Sequence, residues 1–401
     1  MRRFPSSPAK LLAELVACPS VTCEAGAPAP VSGEARYADL LAGYLRALGA
    51  DVGRSFLEPG RPNLIATWDP PGKAEATVML APHLDTIGVD GMTVPPFKLT
   101  ASGGRLHGRG SCDTKGPTAA LLCALRRWTQ RPAHSRGTVR WVFAATSAEE
   151  EGSRGAMALV KQRLVRSSKS RAGRGLPIDF AVALEPTELR VVHAAKGILR
   201  LWIDTEGVAS HGARPELGIN AILRMLPIAE ALRTDVTSAL AAKKHARLGP
   251  ATLNLSLFHG GLGINVVPDK CRIGLDIRTH PQCPADWILP RVRAVCDRQK
   301  PRARLTVHND FTSFETPRTE PWAAALRKSA ARGWDVAPWF CDANVFGAAG
   351  IPSVAFGPGN IAQAHTRDEY IKAAELEAGV AAFSNFLSSA QPLARSKTLA
   401  L

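Results

Sequence analysis

The sequence predicts an α/β protein of two domains, a layered α/β domain interrupted by an inserted ferredoxin-like (βαββαβ) domain. Three observations point there. Short apolar runs alternate with amphipathic segments over the first half of the chain, the pattern of a layered α/β fold. After about residue 196 the order becomes strand, helix, strand, strand, helix, strand, which is the split-βαβ sandwich. After about residue 310 the first style returns. The implied boundaries are 1–195 and 310–401 for the layered domain and 196–309 for the insertion.

The elements follow in order. Residues 6–17 and 35–49 carry apolar side chains three and four apart and read as helices. NLIATW (63–68) and TVMLAP (77–82) read as short strands, and 114–128 as a helix. TVRWVFAA (138–145) is apolar enough for a buried strand, and a helix is expected over about 153–165. DFAVALEP (179–186) closes the first part as another strand. In the insertion, ILRLWIDTEG, TLNLSLF, CRIGLDIRT and RLTVHND read as strands. GINAILRMLPIAEAL and WILPRVRAVCDRQ read as its helices. The tail gives a helix at 320–331, a strand SVAFG at 353–357 and a helix at 369–388.

Composition narrows the function classes. With 401 residues, 45% apolar and 21% charged, the chain has the make-up of a globular protein with a sizeable core. No run of some 18 apolar residues occurs, so no membrane span is expected. MRRFPSSPAKLLAELVAC reads as an amphipathic first helix rather than a signal peptide. The eight cysteines are scattered without a CxxC pair, which fits reduced thiols and a cytoplasmic location. The net charge of +15 raises the question of a polyanion partner. Its densest patch is 161–175, with Lys161, Arg163, Arg166, Lys169, Arg171 and Arg174 and no acid. No aromatic residues interleave and no zinc-finger or helix-turn-helix pattern accompanies it. It reads as a helix end entering a solvated loop, and no nucleic-acid partner is expected.

The chemistry gathers at strand ends. APHLDT sets His83 and Asp85 two apart, on one face of an extended segment. A carboxylate so placed can fix an imidazole's tautomer and orientation. GRGSCDTKG places Asp113 in a glycine-rich turn before a helix. TSAEEEGSRG follows the 138–145 strand with three adjacent glutamates. ALEPT puts Glu185 after an apolar strand, and FGPGNIAQAHTRDEY puts His365 behind a glycine-rich loop. Each alone is an ordinary surface motif. Five strand-end segments that each offer a histidine or carboxylate point to one site, because ligands of open α/β sheets bind outside the carboxyl ends of the strands. Two histidines and several carboxylates, with no cysteine at matching spacing, suit zinc, cobalt or manganese. They exceed what one tetrahedral ion needs, so two ions sharing a carboxylate are expected.

HLDT, GRGSCDTKG, EEEGS, LEPT and AHTRDEY, in this order, resemble the motifs of the M20 family of dinuclear zinc amidohydrolases and metallopeptidases. That family includes acetylornithine deacetylase, succinyl-diaminopimelate desuccinylase, aminoacylase 1 and bacterial carboxypeptidase G. The resemblance spans nearly the whole chain, the insertion included, where it implies a lid that also serves dimerisation. It implies that His83 and Glu185 hold one divalent metal, that His365 and Glu150 hold the other, and that Asp113 bridges them. Zinc is the expected ion and cobalt a substitute. Counting back from Gly152 and Ser153, Glu149 falls on the general base, Glu150 on a ligand and Glu151 on a variable slot. Glu151 then reads as a solvated turn charge. Ala148 stands where the family often has a further acid.

Asp85 would orient His83. The resemblance also places His211 of GVASHGARPELG at the developing oxyanion, reached across a dimer in some relatives. It puts Asn265 and Arg278 at the substrate, where Arg278 can hold a carboxylate through two parallel bonds. The implied activity is hydrolysis of the amide of N-acyl amino acids. TVPPFKLTASGGRLHGRGSCDTKG looks closer to the acetylornithine deacetylase branch than to the aminoacylases, which implies a place in arginine biosynthesis. Desuccinylase, aminoacylase and carboxypeptidase or dipeptidase activities are the enzymatic alternatives. A polyanion-binding protein on an inactive scaffold of this family is the non-enzymatic one.

Overall fold

The computed structural model describes residues 4–22, 33–170, 174–329 and 332–389. Arg171 of the basic patch lies outside the described residues. The chain divides into two compact units.

The first unit takes residues 1–193, 315–335 and 341–401. Its sheet is built on four parallel strands, β1 (Ala76–Ala81), β2 (Val139–Ala145), β3 (Phe180–Ala183) and β4 (Ser353–Ala355), in the order β2-β1-β3-β4. The strands Arg61–Trp68 and Asp51–Glu58 extend it antiparallel beyond β2. β3 is buried at every position and β2 at all but one. Parallel strands covered on both faces read as unbroken apolar runs rather than alternating ones, which is why VRWVFAA is legible as a strand. The helices Lys115–Thr129 and Ala373–Ser389 close its core with Leu121, Leu125, Val380 and Phe383, all fully buried.

The topology decides where the site falls. All four parallel strands point the same way, so their carboxyl ends share one edge. His83 and Asp85 follow β1, Glu149 and Glu150 follow β2, and Glu185 follows β3. β4 leads through Gly357 and Gly359 toward His365. Gly357 is forced: a Cβ there would stand 2.6 Å from the Glu185 carbonyl oxygen.

The second unit takes residues 194–314 and 336–340, against 196–309 from the sequence. Its four strands, Gly197–Glu206, Thr252–Gly260, Lys270–Thr279 and Arg304–Phe311, are all antiparallel, with the second strand at one edge, then the third, the first and the fourth. That is the ferredoxin-like order. The helices Ala221–Ala231 and Ala285–Asp297 bury Met225, Ile228, Ile288 and Val292 against one face. Gly197–Glu206 alternates buried and half-buried along most of its length, as a strand covered on one side should.

Several local expectations shift. The helix expected over 153–165 is Arg154–Lys161, and Val165–Ser167 is a short strand paired with Leu176–Ile178. The helix expected from 369 begins at Ala373, because Tyr370–Lys372 pairs instead with Arg105–His107. Among the elements that escape the periodicity, two show why. Asp51–Glu58 is an edge strand with few apolar side chains, and Asp342–Ala348 is a helix of two turns, too short to show a period. Among the described residues no helix is long and apolar enough to cross a membrane.

Candidate metal centre

The glutamate run is a turn held by side chains from other segments. After β2 the chain reverses through Ala148 and Ser153, both with φ near 55°. Buried backbone N–H groups outside regular structure need acceptors, and here four in succession find them. Ser147 N–H donates to Asn63 Oδ1 at 2.9 Å, and Ala148 N–H to Glu34 Oε1 at 2.8 Å. The N–H groups of Glu149 and Glu150 donate to the two oxygens of Asp85, each at 3.0 Å. Asn63 Nδ2 reaches the Gly155 carbonyl at 3.0 Å. A Cβ on Gly155 would lie 2.2 Å from Ser147 O, so only glycine lets the chain return this closely. Below the turn, Thr146 Oγ1 donates to the buried Asp342 at 2.5 Å.

This cradle presents Glu149 and Glu150 to the ends of the neighbouring strands. His83 Nε2 lies 2.9 Å from Asp113 Oδ1, and His365 Nε2 lies 3.6 Å from Asp113 Oδ2. Two imidazoles thus face different oxygens of one buried carboxylate. His365 Nε2 is also 2.9 Å from Glu150 Oε1. Donor atoms of His83, Asp113 and Glu150 all fall within 4.8 Å of one another. On its other side His83 Nδ1 meets the Asp85 carbonyl at 2.9 Å, with an Asp85 carboxylate oxygen at 3.5 Å. Asp85 therefore orients His83 chiefly through its main chain, and its carboxylate holds the glutamate turn.

The Asp113 loop is fixed by Glu369. One oxygen of Glu369 accepts the N–H groups of Cys112 and Asp113, at 2.8 and 3.0 Å. The other accepts Gly110 N–H and Arg109 Nη1, at 2.9 and 2.8 Å. Cys112 turns its thiol away, toward the Asn360 carbonyl at 3.4 Å.

Electrostatically the acids are too many for the protein's own cations. Loss of solvent, then the charges of Glu185, Glu150 and Asp342, push the Glu149 carboxyl well above its ordinary range. Burial, then Asp113, Asp342 and Glu150, do the same to Glu185. Glu150 is raised by burial and Asp113 against its bond to His365. Burial also opposes ionisation of Asp113, but the hydrogen bond and charge of His83, then His365 and Arg109, outweigh it and hold Asp113 below its ordinary value. Burial alone would depress His83; its bonds to Asp113 and Asp85 raise it well above the ordinary imidazole value instead.

These observations test the fit to divalent cations. Glu185 is 5% exposed, and its carboxylate makes no hydrogen bond among the described residues. A buried carboxylate with no donor is costly unless a cation meets it. The converging atoms are imidazole nitrogens and carboxylate oxygens without a thiolate, a set suited to zinc, cobalt or manganese. The residues fit the group.

The structure brings His83, Asp85, Asp113, Glu149, Glu150, Glu185 and His365 to one edge of the first unit. His211, Asn265 and Arg278 belong to the second unit. There Gly212 N–H donates to the Asn265 carbonyl at 2.7 Å, which sets the His211 turn beside Asn265. His211 is exposed, and its Nδ1 accepts Ala213 N–H at 3.1 Å. The ring proton therefore sits on Nε2, available to a ligand. Arg278 donates its Nε to Asp276 at 2.7 Å, so only the edge formed by its two terminal nitrogens is left for a carboxylate.

One expectation fails. Glu151 is not a solvated turn charge: it meets Arg61 Nη1 at 2.8 Å and Arg154 Nη1 at 2.9 Å, and accepts the Thr22 hydroxyl. Burial raises its carboxyl, but Arg61, Thr22 and Arg154 together hold it below its ordinary value. The sequence reading also missed Asn63, Glu34, Asp342 and Glu369. Glu369 lies inside the AHTRDEY segment and was within reach of motif reasoning. The others sit in unremarkable stretches and carry no local signal.

Residues 79–389 match the sequence model of peptidase family M20/M25/M40. An acetylornithine deacetylase of Proteus mirabilis (strain HI4320) is 30% identical over 390 residues, covering 92% of each chain. One from Myxococcus xanthus is 28% identical over 321 residues, covering 78% of this chain and 80% of its own. Among solved structures, an M20 family metallo-carboxypeptidase from Sulfolobus solfataricus superposes with a TM-score of 0.77 at 17% identity, covering 96% of this chain and 99% of its own. A dinuclear metal-binding M20 peptidase of Bacillus subtilis superposes with a TM-score of 0.67 at 13% identity, covering 95% and 96%.

Proposed function

Since the chain belongs to peptidase family M20/M25/M40, we propose that it is a metal-dependent hydrolase of the amide bond in N-acyl amino acids, with N-acetylornithine as its first candidate substrate. The observation that carries this reading is Asp113, one buried carboxylate whose two oxygens face His83 and His365. His83 and Glu185 would hold one divalent ion, His365 and Glu150 the other, and Asp113 both. Bound there, such ions supply a Lewis acid for the scissile carbonyl and lower the pKa of water.

The chain's own residues do the rest. Glu150 is engaged by His365, while the Glu149 carboxylate makes no hydrogen bond among the described residues. That division supports Glu149 as the general base, which takes a proton from water and returns it to the leaving amine. A carboxyl held above its ordinary value is better matched to that task near neutral pH. His211, with Nε2–H exposed, is the donor we assign to the developing oxyanion, in its own chain or in a second copy bound through the inserted unit. Asn265 and the free edge of Arg278 would bind the substrate's polar end. The relatives named acetylornithine deacetylase favour the acetyl group and the ornithine side chain.

The test is elemental analysis with a substrate panel. Two ions per chain are expected, with acetylornithine cleaved faster than succinyl-diaminopimelate, other acetyl- or formyl-amino acids and dipeptides, under zinc and under cobalt. A faster dipeptide or succinyl substrate would reassign the specificity. A chain that retains no metal and cleaves nothing would sink the reading.

A further inference from the structure

A buried ion pair stands behind the glutamate turn and has no part in the chemistry above. Arg61, 4% exposed, opens the Arg61–Trp68 strand. Its Nε lies 2.5 Å from Glu34 Oε2 and its Nη2 lies 3.2 Å from Glu34 Oε1. Glu34 is fully buried. The pair then reaches the turn at two points. Glu34 Oε1 accepts Ala148 N–H at 2.8 Å, and Arg61 Nη1 reaches Glu151 Oε2 at 2.8 Å. Ala148 and Glu151 are the residues immediately before and after Glu149–Glu150.

A buried ion pair is a poor source of stability, because desolvation cancels most of the attraction and an apolar pair fills the same space. What an apolar pair cannot supply is an acceptor for Ala148 N–H, or a planar fork that engages Glu34 and Glu151 at once. A lysine cannot supply that fork either. We propose that Arg61, acting through Glu34 and Glu151, is a positioning residue that brackets the turn and fixes where Glu149 stands, Glu150 being held besides by His365. This rests on the reading of Glu149 as the proton acceptor.

The test compares R61K, R61M and E34Q in the metal-loaded full chain. In R61M, kcat should fall roughly 10- to 100-fold, the scale of a displacement near 1 Å at reacting groups. KM should move less than about threefold and metal content should stay at wild type, since a lost proton acceptor acts on the chemical step. R61K should recover part of kcat. E34Q keeps an acceptor for Ala148 N–H and should cost less than R61M. Independently of turnover, amide exchange in a peptide spanning 146–155 should speed at least about tenfold in R61M, while peptides from Lys270–Thr279 stay unchanged. A folded R61M with wild-type kcat, with unchanged exchange at 146–155, or with its loss confined to KM or metal content overturns the inference. If R61M does not fold, the double variant R61M/E34M removes both buried charges and is read the same way. If that also fails, R61K decides, and wild-type kcat and exchange in R61K overturn the role of the fork. A wild-type chain that cleaves no panel member sinks the hydrolase reading and leaves the exchange comparison to judge the bracket.

Discussion

In the first unit the parallel strands are buried along nearly their whole length, and His83, Asp85, Asp113 and Glu185, gathered near their ends, are buried with them. In the second unit the antiparallel strands are covered on one side, and the described residues there are rich in exposed apolar side chains. Of the large apolar residues exposed among the described ones, all but Phe56 and Ile361 lie in the second unit, and Leu262 and Ile264 there are fully open to solvent. The contrast follows from topology. Parallel strands need crossovers that wrap both faces and bring the carboxyl ends together. A βαββαβ sheet places both helices on one face and leaves the other face and the edges open to partners. The buried acids of the candidate centre therefore gather in the first unit and the open apolar surface in the second, and each can be tested against the other.

The largest effect should come from Glu149→Ala, which is expected to lower kcat roughly 10²–10⁴-fold, the worth of a positioned general base. Metal content should be retained, whereas Glu150→Ala should lose metal. Equal metal loss in both, measured by elemental analysis, would erase the distinction between the two glutamates.

Next is His211→Ala, expected to cost roughly 10²–10³-fold, the range for removing one oxyanion donor. If the second unit reaches into a partner's site, mixing this variant with Glu149→Ala chains should restore part of the activity. Hybrids that form without recovery would place the whole site in one chain.

A subtler effect concerns metal removal and pH. In the metal-free fold Glu149, Glu150 and Glu185 are raised above their unfolded values, and so are His83 and His365. Groups with raised folded pKa values contribute stability at low pH that is lost as pH climbs through them. Asp113, held low, works the other way and matters only in acid. Between about pH 5 and 8 the chelated protein should therefore lose stability as pH rises. The gap in Tm between metal-loaded and chelated protein should widen over that range, and a gap that narrows would contradict the charge balance described here.

The smallest effects belong to the surface. Ile264→Ser should change unfolding free energy by less than about 0.5 kcal/mol, as expected for an exposed side chain. Neutralising Lys169 and Arg174 should leave kcat unchanged. A large fall in kcat from either would show a surface wrongly assigned to solvent.

Much of the candidate site was legible because its residues are local to strand ends. His83 follows β1 and Glu185 follows β3 within two residues, so an apolar run and the next polar residue are enough to find them. Counting from Gly152 and Ser153 puts Glu150 at the ligand position, and the structure places Glu150 beside His365 at 2.9 Å. Glu151 was misread because its partner Arg61 is 90 residues away. Asp342 was missed because its bond to Thr146 spans 196 residues and its helix is too short for a period.

The sequence by itself determined the α/β class, the ferredoxin-like insertion and the segments whose histidines and carboxylates converge in the candidate centre. Those rest on periodicity and on residue types within a few positions of one another. Only the tertiary structure decided what holds the glutamate turn. Its four successive N–H groups are met by Asn63, Glu34 and Asp85, from three separate segments. Local pattern cannot name such acceptors, because a buried donor accepts whichever carboxylate or amide the fold brings within about 3 Å, and no spacing rule links the two ends.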